Sequence, residues 1–152
     1  MRRRRIPDTV SAQVGGGRPL AWAAAGEAWV VATHDRLLLP DRDPLPWEQV
    51  VRAAWDDPVL ELQIPGETVR VVLDDPGHVP EVVNERVKAS VVVQQHVALV
   101  GEKGVRLVAR RAPGGTTITW RVTYDAGLDP DDPAVRAAAE DALSELRAAI
   151  GL

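Results

Sequence analysis

Between residues 18 and 73 short apolar runs alternate with turn signals every eight to twelve residues. That rhythm leaves consecutive antiparallel hairpins as the arrangement that fits so little chain. Residues 20–25, 28–33, 36–40, 49–55, 59–64 and 68–73 read as strands, so a six-stranded meander is expected over residues 19–75. Its connections are Gly26-Glu27, His34-Asp35, a proline-rich loop at residues 41–46, Asp56-Asp57-Pro58 and Pro65-Gly66, all built from turn-forming residues.

Asp74-Asp75-Pro76-Gly77 closes this stretch, and Pro80 suits the first turn of a helix because its missing N–H has no partner to lose there. A short helix is expected over residues 79–89. Ser90-Val91-Val92-Val93 is β-branched, and Val91, Val93, Val97 and Leu99 share one side of a two-residue period. These favour a strand, with a helix continuing to Val97 as the alternative. Gly101-Glu102-Lys103-Gly104 and Pro113-Gly114-Gly115 then divide residues 90–125 into a three-stranded meander. In its last strand, residues 116–124, Ile118, Trp120, Val122 and Tyr124 alternate with polar neighbours, the pattern of a sheet with one packed and one wet face.

A terminal helix is expected over residues 132–150. Asp132 is placed to cap it, Pro133 takes its first position, and Val135, Ala139, Ala142, Leu143 and Leu146 form its apolar stripe. The class is therefore α+β and mainly antiparallel β.

The 152 residues amount to one ordinary domain, and 45% hydrophobic against 26% charged residues is a globular composition. Residues 19–152 read as a single compact domain, and residues 1–18, broken by Gly15, Gly16 and Gly17, as a flexible basic tail. Charge is distributed unevenly. Outside Arg2, Arg3, Arg4 and Arg5 the chain carries 14 basic and 22 acidic residues, an acidic body behind a basic arm.

Zero cysteines exclude a disulfide scaffold, a thiolate metal site and a cysteine nucleophile. Arginine supplies nearly all the positive charge, lysine occurring only at positions 88 and 103, and phenylalanine is absent, a bias that fits GC-rich coding. The longest apolar run, residues 89–101, is interrupted by Gln94, Gln95 and His96 and falls short of the ~20 residues a membrane helix needs, so no membrane insertion is expected. No apolar h-region follows the four arginines, and a cytoplasmic location is expected.

Chemistry-bearing residues are scattered. His34, His78 and His96 lack the spacing that sets two metal ligands on one helix face. Asp41-Arg42-Asp43 and Asp129-Pro130-Asp131-Asp132 lack the glycine and the bidentate glutamate of a calcium loop. Neither catalytic nor metal-binding nor cofactor residues are assigned, and no cofactor is expected. The basic positions that carry a contact hypothesis are Arg2, Arg3, Arg4 and Arg5, together with Arg106, Arg110 and Arg121, which alternation assigns to one face of the second meander. Near an anionic surface the arm supplies about 4 kcal/mol, at about 1 kcal/mol per basic residue. The acidic body and the lack of interleaved exposed aromatics disfavour nucleic acid. The five tryptophans supply most of the aromatic core.

Trp29-Val30-Val31-Ala32-Thr33-His34-Asp35-Arg36-Leu37-Leu38-Leu39, followed by Leu45-Pro46-Trp47-Glu48-Gln49-Val50, resembles the bacterial pleckstrin-homology-like domains. In those a Thr-x-x-Arg-Leu hairpin precedes a proline, aromatic, acidic, x, hydrophobic entry into the next strand. Glu85 to Val92, Val105 to Arg111, Trp120 and Gly127 to Pro133 resemble a set of actinobacterial proteins of unknown activity. The resemblance implies a small barrel or pair of orthogonal sheets closed by a helix, and a binding module rather than an enzyme. It does not imply phosphoinositide binding, because the first hairpin turn, Ala25-Gly26-Glu27-Ala28, is short and acidic where lipid-binding members are basic.

The expected function is a non-enzymatic module with an unknown protein partner. The alternatives are contact with a polyanion, membrane or nucleic acid, through the arginines, and a small-molecule binder or enzyme with a cavity near His34, Asp35 and His96. Residues 116–124 carry no proline, lysine or bulge-forming glycine to protect an edge, so either the terminal helix crosses that sheet and its edges pair with the first meander, giving a monomer, or two chains pair there in a homodimer, the favoured outcome.

Overall fold

The computed structural model describes residues 6–15 and 18–152. In chain order the elements are α1 (Asp8–Val14), β1 (Ala21–Ala25), β2 (Ala28–Ala32), β3 (Arg36–Leu38), β4 (Leu45–Pro46), a 3-10 turn (Trp47–Gln49), β5 (Arg52–Asp56), β6 (Val59–Ile64), β7 (Glu67–Val72), α2 (Val79–Ala89), β8 (Val91–Val100), β9 (Lys103–Arg111), β10 (Ile118–Tyr124) and α3 (Pro133–Ile150). They form two compact units, Met1–Ser90 and Val91–Leu152, where the sequence reading joins residues 19–152 in one domain.

Seven strands of the first unit form two antiparallel sheets, ordered β1-β2-β3-β4 and β5-β6-β7. The expected six-stranded meander is thus divided, and none of the sheets among the described residues closes into a barrel. The division falls at residues 47–51. Val50 N–H returns to the Trp47 carbonyl in the 3-10 turn, and the chain re-enters a new sheet when Val51 N–H reaches the Gln63 carbonyl. Sequence periodicity extends the fifth strand back over this turn because Gln49, Val50 and Val51 fit an extended pattern equally well.

Alternation decides what each sheet buries. Ala21 and Ala23 on β1, Val30 and Ala32 on β2, Leu60 and Leu62 on β6 meet Trp47, Leu73 and the Val79, Val83 and Val87 stripe of α2 in one core. Each fully buried aliphatic side chain there contributes about 1.5–3 kcal/mol. Asp74 fastens the two sheets, its N–H donating to the Ala24 carbonyl at 2.9 Å and its Oδ2 accepting from Gly26 N–H at 2.8 Å.

The opposite face of the first sheet is covered by α1. Val10, fully buried, packs with Val31 and Leu38, flanked by Ile6, Val14, Trp22 and Trp29. Residues 8–14 are therefore helical and docked, in place of the irregular tail expected there. Gly15 ends the helix at φ 69°, a left-handed conformation that glycine adopts without steric penalty.

The second unit is a sheet ordered β10-β9-β8 with α3 on one face. Val105 and Leu107 of β9 pack against Ala139, Ala142 and Leu146, whose small members bring the helix close to the sheet. Asp132 caps α3 by accepting the Ala134 N–H at 2.9 Å. β8 begins directly after Ser90, so the strand and not the longer helix follows α2.

Candidate functional site

Pairing register fixes which side chains share a face. Arg110 stands opposite Thr119, Arg121 opposite Val108, and Thr123 opposite Arg106, while His96 of β8 stands opposite Arg106 from the other side. Val105 and Leu107 alternate with these residues and carry the packing toward α3. Arg106, Arg110 and Arg121 therefore share the face away from α3, as the alternation requires, with His96 and Thr123 in line with Arg106.

The three arginines differ in exposure. Arg106 is exposed, Arg121 half-buried, and Arg110 only 8% exposed. Loss of water around Arg110, and then the neighbouring charge of Arg121, hold its guanidinium below the usual arginine value. Arg2, Arg3, Arg4 and Arg5 lie outside the described residues.

An acid closes one end of the face. Asp125 Oδ2 accepts the Gly104 N–H at 2.8 Å and lies 2.7 Å from His96 Nε2. The Gly104 N–H and then the His96 hydrogen bond hold the Asp125 carboxyl below its ordinary value, with the Arg106 charge adding in the same direction. Gly104 is required at this corner. A Cβ there would collide with the Val97 carbonyl and the Ala98 backbone, neither of which can rotate away as a side chain end would.

Two of the open grooves on the first unit have apolar linings broken by a basic residue. One, of about 250 Å³, is lined by Ile6, Pro19, Leu20, Ala21 and Trp22 with Arg18 and His78 also in its wall. Leu20 is 47% exposed in it. The other, of about 360 Å³, lies at the β1–β2 turn and the loop after β3, lined by Gly26, Leu39, Pro40, Arg42 and the Val69–Val72 stretch of β7. There Arg42 Nη1 donates to Glu67 Oε1 at 3.0 Å, so its charge is already compensated.

The residues of the enzyme hypothesis fall on both units, His34 and Asp35 on the first and His96 on the second. Thr33 Oγ1 donates to Asp35 Oδ1 at 3.0 Å and accepts the Arg36 N–H at 3.2 Å, so Asp35 serves the turn. His34 is exposed in that turn, and His96 belongs to the other unit. His78 faces Glu81 at 3.5 Å on the surface at the start of α2. Among the described residues no three His, Asp or Glu side chains converge as a metal site would require, and no helix is long and apolar enough to cross a membrane. Asp129 accepts the Asp131 N–H and Asp132 caps α3, which accounts for that acidic cluster.

The Leu20 groove is the feature the sequence reading missed. Its signal is present: Ile6, Val10 and Val14 recur every four residues, the apolar stripe of the segment that covers the first sheet and lines the groove through Ile6. No family model, curated protein or solved structure matches the chain.

Proposed function

We propose that this chain is a cytoplasmic, non-enzymatic interaction module whose first unit is of pleckstrin-homology-like type and binds a protein partner. The observation that carries the reading is the succession of four strands, three strands and one helix around a common core, the order the resembled domains use. The two resembling segments also clasp each other, since Trp47 Nε1 donates to the Thr33 carbonyl at 2.9 Å.

The partner docks at the Leu20 groove. An exposed leucine beside a tryptophan offers a pocket for an apolar anchor, and Arg18 in the wall favours an acidic flank on the partner. Phosphoinositide is disfavoured, because the first hairpin turn carries Glu27 and is held by the Asp74 carboxylate.

Affinity capture with the wild type and with Leu20→Asp tests this. The same protein is expected with the wild type at least tenfold above the variant, both being folded by circular dichroism. Equal recovery by both, or turnover of a hydrolase substrate that His34→Ala abolishes, contradicts it.

A second reading rests on the arginine face of the second unit. Arg106 and Arg121 lie on that face with His96 opposite Arg106, which suits a phosphate-rich surface. Salt-sensitive binding to anionic vesicles or DNA that weakens in Arg106→Glu supports it, and binding indifferent to salt rejects it.

A further inference from the structure

β8 is an edge strand, paired with β9 on one side only. It is ten residues long, VVVQQHVALV, and holds no Asp, Glu, Lys, Arg, Pro or Gly. Those are the residues by which proteins usually keep an edge from pairing with another chain. Val92 is 39% and Val100 57% exposed, and Gln94, Gln95, His96 and Ala98 are exposed as well. Among the described residues no backbone hydrogen bond from outside the sheet reaches this strand. The register slips between Val91 and Val93 and between Ala98 and Val100, leaving an unbroken run from Val93 to Ala98 between the two bulges.

The sequence of that run is its own complement. Laid antiparallel on a second copy with Gln95 opposite Gln95, Val93 meets Val97, Val92 meets Ala98 and Val91 meets Leu99. Gln94 of one copy meets His96 of the other, so amide and imidazole face each other and, from Val91 to Leu99, every apolar residue faces an apolar residue. No charges are opposed. A shift of the two-fold axis to His96 would set Gln95 against Val97 and lose the match.

We propose that this chain forms a two-fold dimer through β8, joining the two sheets into one of six strands in the order β10-β9-β8-β8-β9-β10. Because the axis stands perpendicular to the joined sheet, both α3 helices lie on the same face. β10, the other edge, is the poorer candidate. Its midpoint is Arg121, so full-length antiparallel self-pairing sets two guanidinium groups opposite each other, a destabilising arrangement. An isologous contact needs a patch complementary to itself, and β8 supplies one.

The test uses sedimentation equilibrium or light scattering on the full chain at micromolar concentration. The wild type is expected at twice 16.5 kDa. Gln95→Lys and Gln95→Glu each set like charges face to face on the axis and are expected at the single-chain mass, while their equimolar mixture returns to the doubled mass. That recovery requires position 95 to oppose itself and also shows that both variants are folded. A wild-type mass of 16.5 kDa overturns the proposal. So does a dimer that survives both substitutions.

Discussion

Trp47 donates its indole N–H to the backbone carbonyl of Thr33 at 2.9 Å, entirely inside the core of the first unit. One bond thereby ties the 3-10 turn that starts the second sheet to the hairpin that joins β2 to β3. The same Thr33 organises that hairpin with its hydroxyl, which donates to Asp35 or Arg36 oxygens and accepts the Arg36 N–H. A buried carbonyl without its partner is expensive, so the pair acts as a unit.

Trp47→Phe keeps most of the ring volume and removes the donor. It is expected to destabilise the protein by about 1–3 kcal/mol, the cost of an unsatisfied buried carbonyl plus a small void. Trp47→Ala, which opens a large cavity, is expected to cost about 3–5 kcal/mol. Urea denaturation followed by circular dichroism measures both, and equal stability of Trp47→Phe and wild type contradicts the clasp.

Gly104→Ala tests the corner of the β8–β9–β10 sheet. The new methyl meets the Val97 carbonyl and the Ala98 backbone, so the β8–β9 pairing must shift. A loss of about 1–3 kcal/mol is expected, as for other overpacked sites. Gly114→Ala, with open space around the added carbon but a φ of 70°, is the control for backbone strain alone and is expected to cost less.

Asp125 makes stability depend on acid. Its folded pKa is depressed by the Gly104 N–H and the His96 bond, so its contribution is fully present above the unfolded value of about 4 and is lost as the pH falls through the lower folded value. Wild type is expected to be more stable than Asp125→Asn at pH 6, with the difference shrinking toward pH 2 as the native carboxylate takes up its proton. A difference that stays constant from pH 6 to pH 2 contradicts the assignment.

Asp132→Ala removes the oxygen that accepts the Ala134 N–H at the start of α3. A loss of about 1 kcal/mol is expected, the usual cost of an N-cap. Asp132→Asn, which keeps an acceptor at the same position, is expected to restore most of it in thermal melts.

Most of the strands, the α2 helix and the α3 helix with its Asp132 cap were legible because each carries a periodic apolar pattern between turn-forming residues. Periodicity failed where it is silent about partners. Nothing in Gln49-Val50-Val51 says that the chain leaves one sheet and joins another, a decision made by the burial of Trp47. α1 was obscured by the glycines after it and the arginines before it, although Ile6, Val10 and Val14 carry the stripe. Of the candidate residues, the common face of Arg106, Arg110 and Arg121 followed from a two-residue period. The approach of His96 to Asp125 did not, because contacts 29 residues apart depend on a pairing register that no local pattern states.

The central claim, that the first unit receives a protein partner at the Leu20 groove, is tested most directly by photo-crosslinking. A photoreactive leucine analogue at position 20 reports on the groove, and one at position 63, in the outward-facing wall formed by Arg52, Ala54, Glu61 and Gln63, serves as the control. The account predicts a single dominant adduct to a different protein from position 20, absent from position 63 and lost when Trp22→Ala removes part of the groove's lining. The same adducts from both positions, or only adducts to a second copy of this chain from position 20, would contradict it.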